Sequence, residues 1–188
     1  WTEQNDLLTK FRKGAGTGTQ TAALAFGGEN PSPIATTQEW STTRSIGVWS
    51  TGGSLNTARD DLAGAGTQTS ALAFGGTEPP RTAKTESWNG TNWTELNDLN
   101  NNRGLFAGSG ADNTSGLVFG GDDPGSTRFT ETWNGTNWTE VNDLNALIQT
   151  HGGMGTATAA LSFGGQHTAI SGATEEWNAD GIITETID

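Results

Sequence analysis

The string Phe-Gly-Gly occurs four times, at Phe26, Phe74, Phe119 and Phe163, in steps of 48, 45 and 44 residues. A Trp follows each at Trp40, Trp88, Trp133 and Trp177, in the same steps. Another Trp precedes each, at Trp1, Trp49, Trp93 and Trp138. Three landmarks held in register four times make this chain four copies of one unit, divided near 1–48, 49–92, 93–137 and 138–188. Self-similarity at this period constrains the fold more than any single residue does, because one supersecondary element must pack on copies of itself.

The second and third units define the element. Each is predicted to hold four short strands: a Gly/Ala-rich one (Ala63–Thr67), an apolar one ending at Gly-Gly (Ser70–Phe74), a third at 84–88 and a fourth at 92–96. Asn89-Gly90 and Asn134-Gly135 fall between the third and fourth strands, and Asn-Gly is a strong hairpin signal because both residues tolerate positive φ. No segment keeps a helical period, and Gly every few residues disfavours helix.

Ala71, Leu72, Ala73 and Phe74 are apolar on both faces of their strand, as are Ala23, Leu24, Ala25 and Phe26. Such strands need cover on both sides. Radially arranged sheets supply it, which predicts an all-β chain folded as a β-propeller of four-stranded blades. The small inner strands suit the crowded axis. The Trp-rich strands suit the splayed rim, where each ring can bury ~150–250 Å². The rival architecture is an Ala-rich solenoid.

The units resemble kelch repeats. That family's apolar strand ends in Gly-Gly, here Gly27-Gly28, Gly75-Gly76, Gly120-Gly121 and Gly164-Gly165. Its Glu-x-Tyr step corresponds to Glu86, Glu131 and Glu175, each two residues before a Trp, with Gln38 in that place before Trp40. Trp replaces the family's Tyr throughout, and Leu55…Arg59 and Leu99…Arg103 are similar to its closing segment. The resemblance spans the chain and implies kelch-like blades, four in this chain, standing alone or forming part of a larger ring or assembly. Residues 1–7 read as a fourth strand lying before the first unit, able to close the fourth blade; Ile182 or Ile183 stands where the last unit lacks its Trp. Alternatively both ends continue into further blades or into another copy.

Composition narrows the chemistry. Nine Lys+Arg against 21 Asp+Glu give a net charge of −12, which repels phosphate backbones and anionic lipid. No nucleic-acid partner and no membrane insertion are expected. Zero Cys removes disulfides and thiolate chemistry. With zero Tyr as well, the copper oxidases with a Cys–Tyr crosslink and the Tyr-dependent sialidases that the fold suggests by analogy are excluded. His151 and His167 have no metal-ligand spacing, and no metal or cofactor is expected. The chain begins with Trp, which fits one that is processed or internal to something longer.

Residues shared by all units should build the frame. Glu86, Glu131 and Glu175 are expected to bond between blades, with Arg12, Arg59 and Arg103 as natural partners; Trp40, Trp88, Trp133 and Trp177 belong to the same frame. Asp6, Asp98 and Asp143 recur and suit bonding to their own turns. Function should lie where the units differ, in the loops after Gly-Gly at 29–34, 77–81, 122–128 and 166–171. Candidate binding residues there are Glu29, Asn30, Glu78, Arg81, Asp122, Asp123, Arg128 and His167. The composition and style of the repeats resemble those of phage and bacterial surface proteins. That resemblance implies a non-enzymatic binding or structural module in a virion or outside the cell, meeting a receptor glycan or protein subunits, its own copies included. The alternatives are an intracellular protein-interaction adaptor and a small sugar isomerase or lyase with an axial site.

Overall fold

The computed structural model describes residues 5–42, 47–123 and 125–179, which hold strands and turns and no helix. The first sheet contains β1 (Ala15–Gly18), β2 (Ala22–Phe26), β3 (Thr37–Ser41) and β4 (Val48–Thr51). The second contains β5 (Ala63–Thr67), β6 (Ser70–Phe74), β7 (Thr85–Trp88) and β8 (Trp93–Glu95). The third contains β9 (Ala107–Asp112), β10 (Ser115–Phe119), β11 (Thr130–Trp133) and β12 (Trp138–Glu140). The fourth holds β13 (Gly152–Gly155), β14 (Ala159–Phe163) and β15 (Thr174–Asn178) among the described residues. Every sheet is an antiparallel meander in sequence order. The inner strands β1, β5, β9 and β13 pack successively on one another, giving a four-blade β-propeller-like fold. The repeat boundary at 48/49 falls inside β4, and β8 and β12 begin at Trp93 and Trp138, so each of the first three sheets takes its fourth strand from the start of the next unit.

Inner strands must be small because each blade drives a Phe across the interface. The positions where a Cβ would stand on Gly64 and Gly108 lie 2.4 and 2.6 Å from Cζ of Phe26 and Phe74, and that on Gly153 lies 2.7 Å from Cζ of Phe119. These rings are 0, 0 and 2% exposed. The fourth ring breaks the series. Phe163 is 37% exposed and lies over Gly152 of its own sheet, while a Cβ on Gly16 of β1 would meet only the Leu24 carbonyl. Nor does β13 pack on β1 as the other inner neighbours pack. Among the described residues, therefore, no sheet packs on the leading face of the fourth sheet or on the trailing face of the first.

Paired indoles rivet the sheets. Trp40 opposes Trp49, Trp88 opposes Trp93 and Trp133 opposes Trp138, with ring centroids 5.5, 5.4 and 5.4 Å apart. The first Trp of each pair, and Trp177 likewise, donates its Nε1–H to a carbonyl 20 residues upstream in its own blade: Gln20, Gln68, Asn113 and Ala157. The second reaches the preceding blade. Trp93 donates to Thr37 Oγ1 and Trp138 to Thr85 Oγ1, both at 2.9 Å, while their rings lie against Phe26 and Phe74.

The Asn-Gly turns form as expected in place but not in type. Only Gly90 and Gly135 adopt positive φ, at 92° and 91°. Asn89 Oδ1 instead accepts the amides of Thr91 and Asn92, and Asn134 Oδ1 those of Thr136 and Asn137. The side-chain bonds hold a four-residue connection that needs no left-handed Asn.

Gly108→Ala is expected to destabilise the fold by about 1–3 kcal/mol, the usual cost of overpacking, because its methyl would collide with Phe74. Gly172→Ala meets nothing within 4 Å and should be neutral. Urea unfolding followed by Trp fluorescence distinguishes the two.

Candidate functional site

Each blade is entered by a connector that carries the recurring polar residues. Arg59 is fully buried; its Nη2 donates to Glu86 Oε1 at 2.9 Å and its Nη1 to the carbonyls of Gly75 and Lys84. Arg103 repeats this with Glu131 at 2.7 Å and the carbonyls of Gly120 and Phe129. Burial pushes both guanidinium pKa values down, and the facing carboxylate opposes the shift. The other carboxylate oxygen accepts the backbone and side-chain amides of an Asn that the sequence reading overlooked, Asn56 on Glu86 and Asn100 on Glu131. The Leu-Asn step at 55–56, 99–100 and 144–145 was its visible signal. The same connectors tie back to the previous blade, since the carbonyls of Arg59 and Arg103 accept the amides of Gly28 and Gly76.

Arg12 and Glu175 depart from this plan. Phe11, not Arg12, occupies the position 48 residues before Arg59, and its sheet carries Gln38 in place of Glu. Gln38 bonds the backbone of Leu8 and Thr9, and Arg12 pairs at the surface with Glu29. Ile148 stands 45 residues after Arg103, so Glu175 accepts only amides there, those of Asn145 and Ala146. Among the described residues, both end blades thus lack the buried cation. Asp98 and Asp143 do not bond their own turns; they accept the amides of Thr85 and Thr130 at the start of the third strand. Asp6 is exposed.

The variable loops share one backbone course. Ile34, Thr82, Thr127 and Ser171 donate to the carbonyls of Gly28, Gly76, Gly121 and Gly165. At the tips, the amides of Asn30, Glu78, Asp123 and His167 donate to the carbonyls of Ser32, Pro80, Gly125 and Ala169. Positive φ at each Gly pair, such as 56° and 103° at Gly75 and Gly76, makes the sharp exit that permits this. Different sequences are thus mounted on equivalent brackets at one end of the array.

Around this end the backbone climbs from blade to blade. The amides of Asp61, Leu105 and Thr150 donate to the carbonyls of Lys13, Asp61 and Leu105, and all four residues are left-handed, with φ between 54° and 57°. Above this stair runs an ion-pair chain. Glu29 bonds Arg12 and Lys13; Lys13 reaches Asp60 and Asp61; Arg81 bridges Asp61 to Asp122 at 3.5 and 2.7 Å. Burial and the neighbouring Asp60 raise the Asp61 pKa, while Lys13 and Arg81 pull it down. Arg81 and Asp122 therefore serve as an inter-blade tie, while Glu29 pairs within its own blade and meets the next only through Lys13. Glu78 pairs with Lys84 and Arg128 with Asp143. Asn30 is anchored through its side chain to the Lys10 carbonyl, while Asp123 and His167 are exposed at their tips. The eight candidates gather at one end, but five of them are engaged in ion pairs: Arg81 with Asp122, and Glu29, Glu78 and Arg128 with Arg12, Lys13, Lys84 and Asp143.

His151 occupies the connector position that Leu62 and Phe106 fill in earlier blades, beside Phe119 and against Gly120. Burial lowers its pKa from the ordinary 6.5 to about 4, against a smaller opposing pull from the Phe119 backbone. It is a neutral ring in an aromatic slot. Among the described residues no group of three or more His, Cys, Asp or Glu is placed to hold a metal ion.

A cavity of about 210 Å³ lies between the third and fourth sheets, lined by Leu117, Phe119, Thr130, Ala160, Leu161 and Trp177 among others. The corresponding spaces between earlier sheets contain the indoles of Trp93 and Trp138.

The chain matches no protein-family model, and no curated protein matches it as a relative.

Arg103→Met should cost about 3–5 kcal/mol, since it leaves Glu131 charged and buried without its cation. Adding Glu131→Gln, the residue type that Gln38 supplies in the first sheet, is expected to restore at least half of that loss in urea unfolding. The His151 pKa is depressed on folding, so its contribution to stability is complete above about pH 6.5 and is lost as pH falls towards about 4. His151→Phe should accordingly lose less stability than the parent between pH 7 and pH 4.5, measured as the shift in urea midpoint.

Proposed function

We propose that this chain is a non-enzymatic binding or structural module built of kelch-like blades, a component of a virion or of an extracellular surface. Its loop end would present side chains to a receptor glycan or to a neighbouring protein subunit. The observation that carries this reading is the bracket geometry: one backbone course, repeated four times, holds four chemically different tips. The tip at 30–32 offers Asn-Pro-Ser, that at 78–80 Glu-Pro-Pro, that at 123–125 Asp-Pro-Gly and that at 167–169 His-Thr-Ala. A rigid frame with variable exposed loops is how many recognition surfaces are made. Pro in three of the tips lowers the ordering cost of binding. The recurring Glu, Arg, Asn and Trp residues are engaged in holding blades together, which favours a module over an enzyme built on those groups.

The test is a glycan array run alongside a pull-down from the native source material, using the parent chain and an Asn30→Ala, Asp123→Ala, His167→Ala variant. A ligand bound by the parent and lost at least tenfold in the variant, with the thermal midpoint unchanged, supports the reading. Equal binding by both removes the tips from it.

A further inference from the structure

The two buried guanidinium groups of the frame sit in one cradle, built twice. Arg59 Nη1 donates to the carbonyls of Gly75 and Lys84, and its Nη2 donates to the Ala73 carbonyl and to Glu86 Oε1. In the third sheet Arg103 meets the carbonyls of Gly120 and Phe129 and Glu131 Oε1. In both sheets the first Gly of the pair also donates its amide to the outer carbonyl, Gly75 to Lys84 and Gly120 to Phe129.

The fourth sheet repeats the acceptors of this cradle. The Gly164 amide donates to the Ala173 carbonyl, so these two residues stand as Gly120 and Phe129 do, and Ser162 takes the place of Ala73. Glu175 stands as Glu131 does. Its Oε2 accepts the Asn145 amide at 2.7 Å, as Glu131 Oε2 accepts that of Asn100 at 2.8 Å. The connector, however, supplies Ile148 where its predecessors supply Arg59 and Arg103. Ile is too short to reach where the guanidinium lies. What remains is an open pocket of about 390 Å³, lined by Ile148, Ser162, Ala173 and Glu175 and by the exposed His167 and Ile170, among others. That volume falls within the range of about 300–1,000 Å³ usual for ligand pockets.

Glu175 Oε1 is the atom whose counterparts take the guanidinium Nη2. It accepts the Ala146 amide at 3.1 Å, and a carboxylate oxygen has room for a second donor. Among the described residues no Lys or Arg pairs with Glu175. The first sheet shows the other way to change the cradle. There Gln38 replaces the Glu and bonds the connector backbone at Leu8 and Thr9, so no anion is left to satisfy. The fourth sheet keeps the anion although its connector offers no cation.

The shape of the cradle selects its ligand. Two carbonyls and a carboxylate arranged for Arg59 and Arg103 fit a planar guanidinium fork and not the compact point charge of an ammonium. Leu147 and Ile170, 43 and 90% exposed, offer apolar surface to an aliphatic stem and its neighbours. The net charge of −12 draws in a cationic partner.

We infer that this pocket binds the guanidinium of an arginine supplied by a partner polypeptide, held by the carbonyls of Gly164 and Ala173 and by Glu175 Oε1 as Arg103 is held in the third sheet. The pocket lies beside the fourth tip and needs neither Asn30 nor Asp123, so it stands or falls apart from recognition by the tips.

The probes are acetyl-Leu-Arg-Leu-amide, acetyl-Leu-Lys-Leu-amide and free arginine, titrated at low salt into the isotope-labelled chain and followed by amide NMR. The arginine tripeptide is expected to give saturable shifts at Gly164, Ala173 and Glu175, and the lysine tripeptide to bind at least fivefold more weakly. Glu175→Gln should weaken the arginine tripeptide at least fivefold with the thermal midpoint unchanged, because Gln keeps the amide acceptor, as Gln38 does in the first sheet. Ile148→Arg places the chain's own guanidinium in the cradle and should abolish the shifts. Absence of saturable shifts overturns the inference. Equal binding of the two tripeptides, or unchanged binding to Glu175→Gln, reduces the effect to attraction by net charge and also overturns it. Free arginine binding as tightly as the arginine tripeptide overturns the polypeptide source. Undiminished binding to folded Ile148→Arg overturns the site; if that variant does not fold, the Glu175→Gln comparison decides.

Discussion

A phenyl ring laid on a neighbour's glycine is the contact on which the rest of the molecule depends. With 31% hydrophobic residues, no sheet here could bury enough surface alone. The Phe at the end of β2, β6 and β10 crosses to the next sheet, and the next sheet must present a surface without side chains to receive it. That single requirement explains the Gly/Ala character of β5 and β9, the close approach of inner strands, and the apolar clusters that each draw residues from two adjacent sheets. Packing at interior density tolerates no spare methylene there. The indoles complete the seal from the rim, the Nε1–H of Trp40, Trp88, Trp93, Trp133, Trp138 and Trp177 each finding an acceptor so that a large ring is buried without an orphaned donor.

Because blade-to-blade contacts dominate, the chain behaves as a short one-dimensional array, with each repeat stabilised by its neighbours. The ends of such an array are where the pattern should relax, and they do. The first sheet exchanges the buried Arg–Glu pair for Phe11 and Gln38, and the fourth keeps Glu175 but meets it with Ile148. A buried ion pair in an incompletely covered blade would lie nearer water, where a guanidinium in a fixed fork contributes less. Met154, Phe163 and Ile170, exposed at 56, 37 and 90%, mark the fourth sheet as the less covered end.

Much of this was legible from residue spacing. Ala63–Thr67 and Ser70–Phe74 form the two strands read from the sequence, residue for residue, because period and Gly-Gly punctuation delimit them sharply. The pairing of Glu86 and Glu131 with Arg59 and Arg103 was also accessible, since all four recur at matched positions. The misassignment of Arg12 arose from chemistry overriding register: an Arg lay one residue from the aligned position, and alignment by 48 gives Phe11. The Asn residues on each Glu were hidden because Asn is abundant in the turns and gives no distinctive signal there. Nothing in the loop sequences disclosed their common course, because it is written in backbone amides and carbonyls. The charges at Glu29, Arg81 and Asp122 looked available for a ligand, and only three-dimensional proximity shows that Arg81 and Asp122 pair with each other and Glu29 with Arg12 and Lys13.

The left-handed stair at the loop end has an evolutionary corollary. Its treads are Lys13, Asp61, Leu105 and Thr150, four residues with no shared chemistry, because the stair itself engages only their peptide groups, while the side chains of Lys13 and Asp61 also join the ion-pair chain. Holding a non-glycine residue in that conformation costs of order 1–3 kcal/mol, and the β-branched Thr150 is the most strained of the four. At Leu105 and Thr150, whose side chains carry none of the ion pairs of this end, the mouth of the array can therefore be redecorated by mutation while the hydrogen-bonded stair is kept.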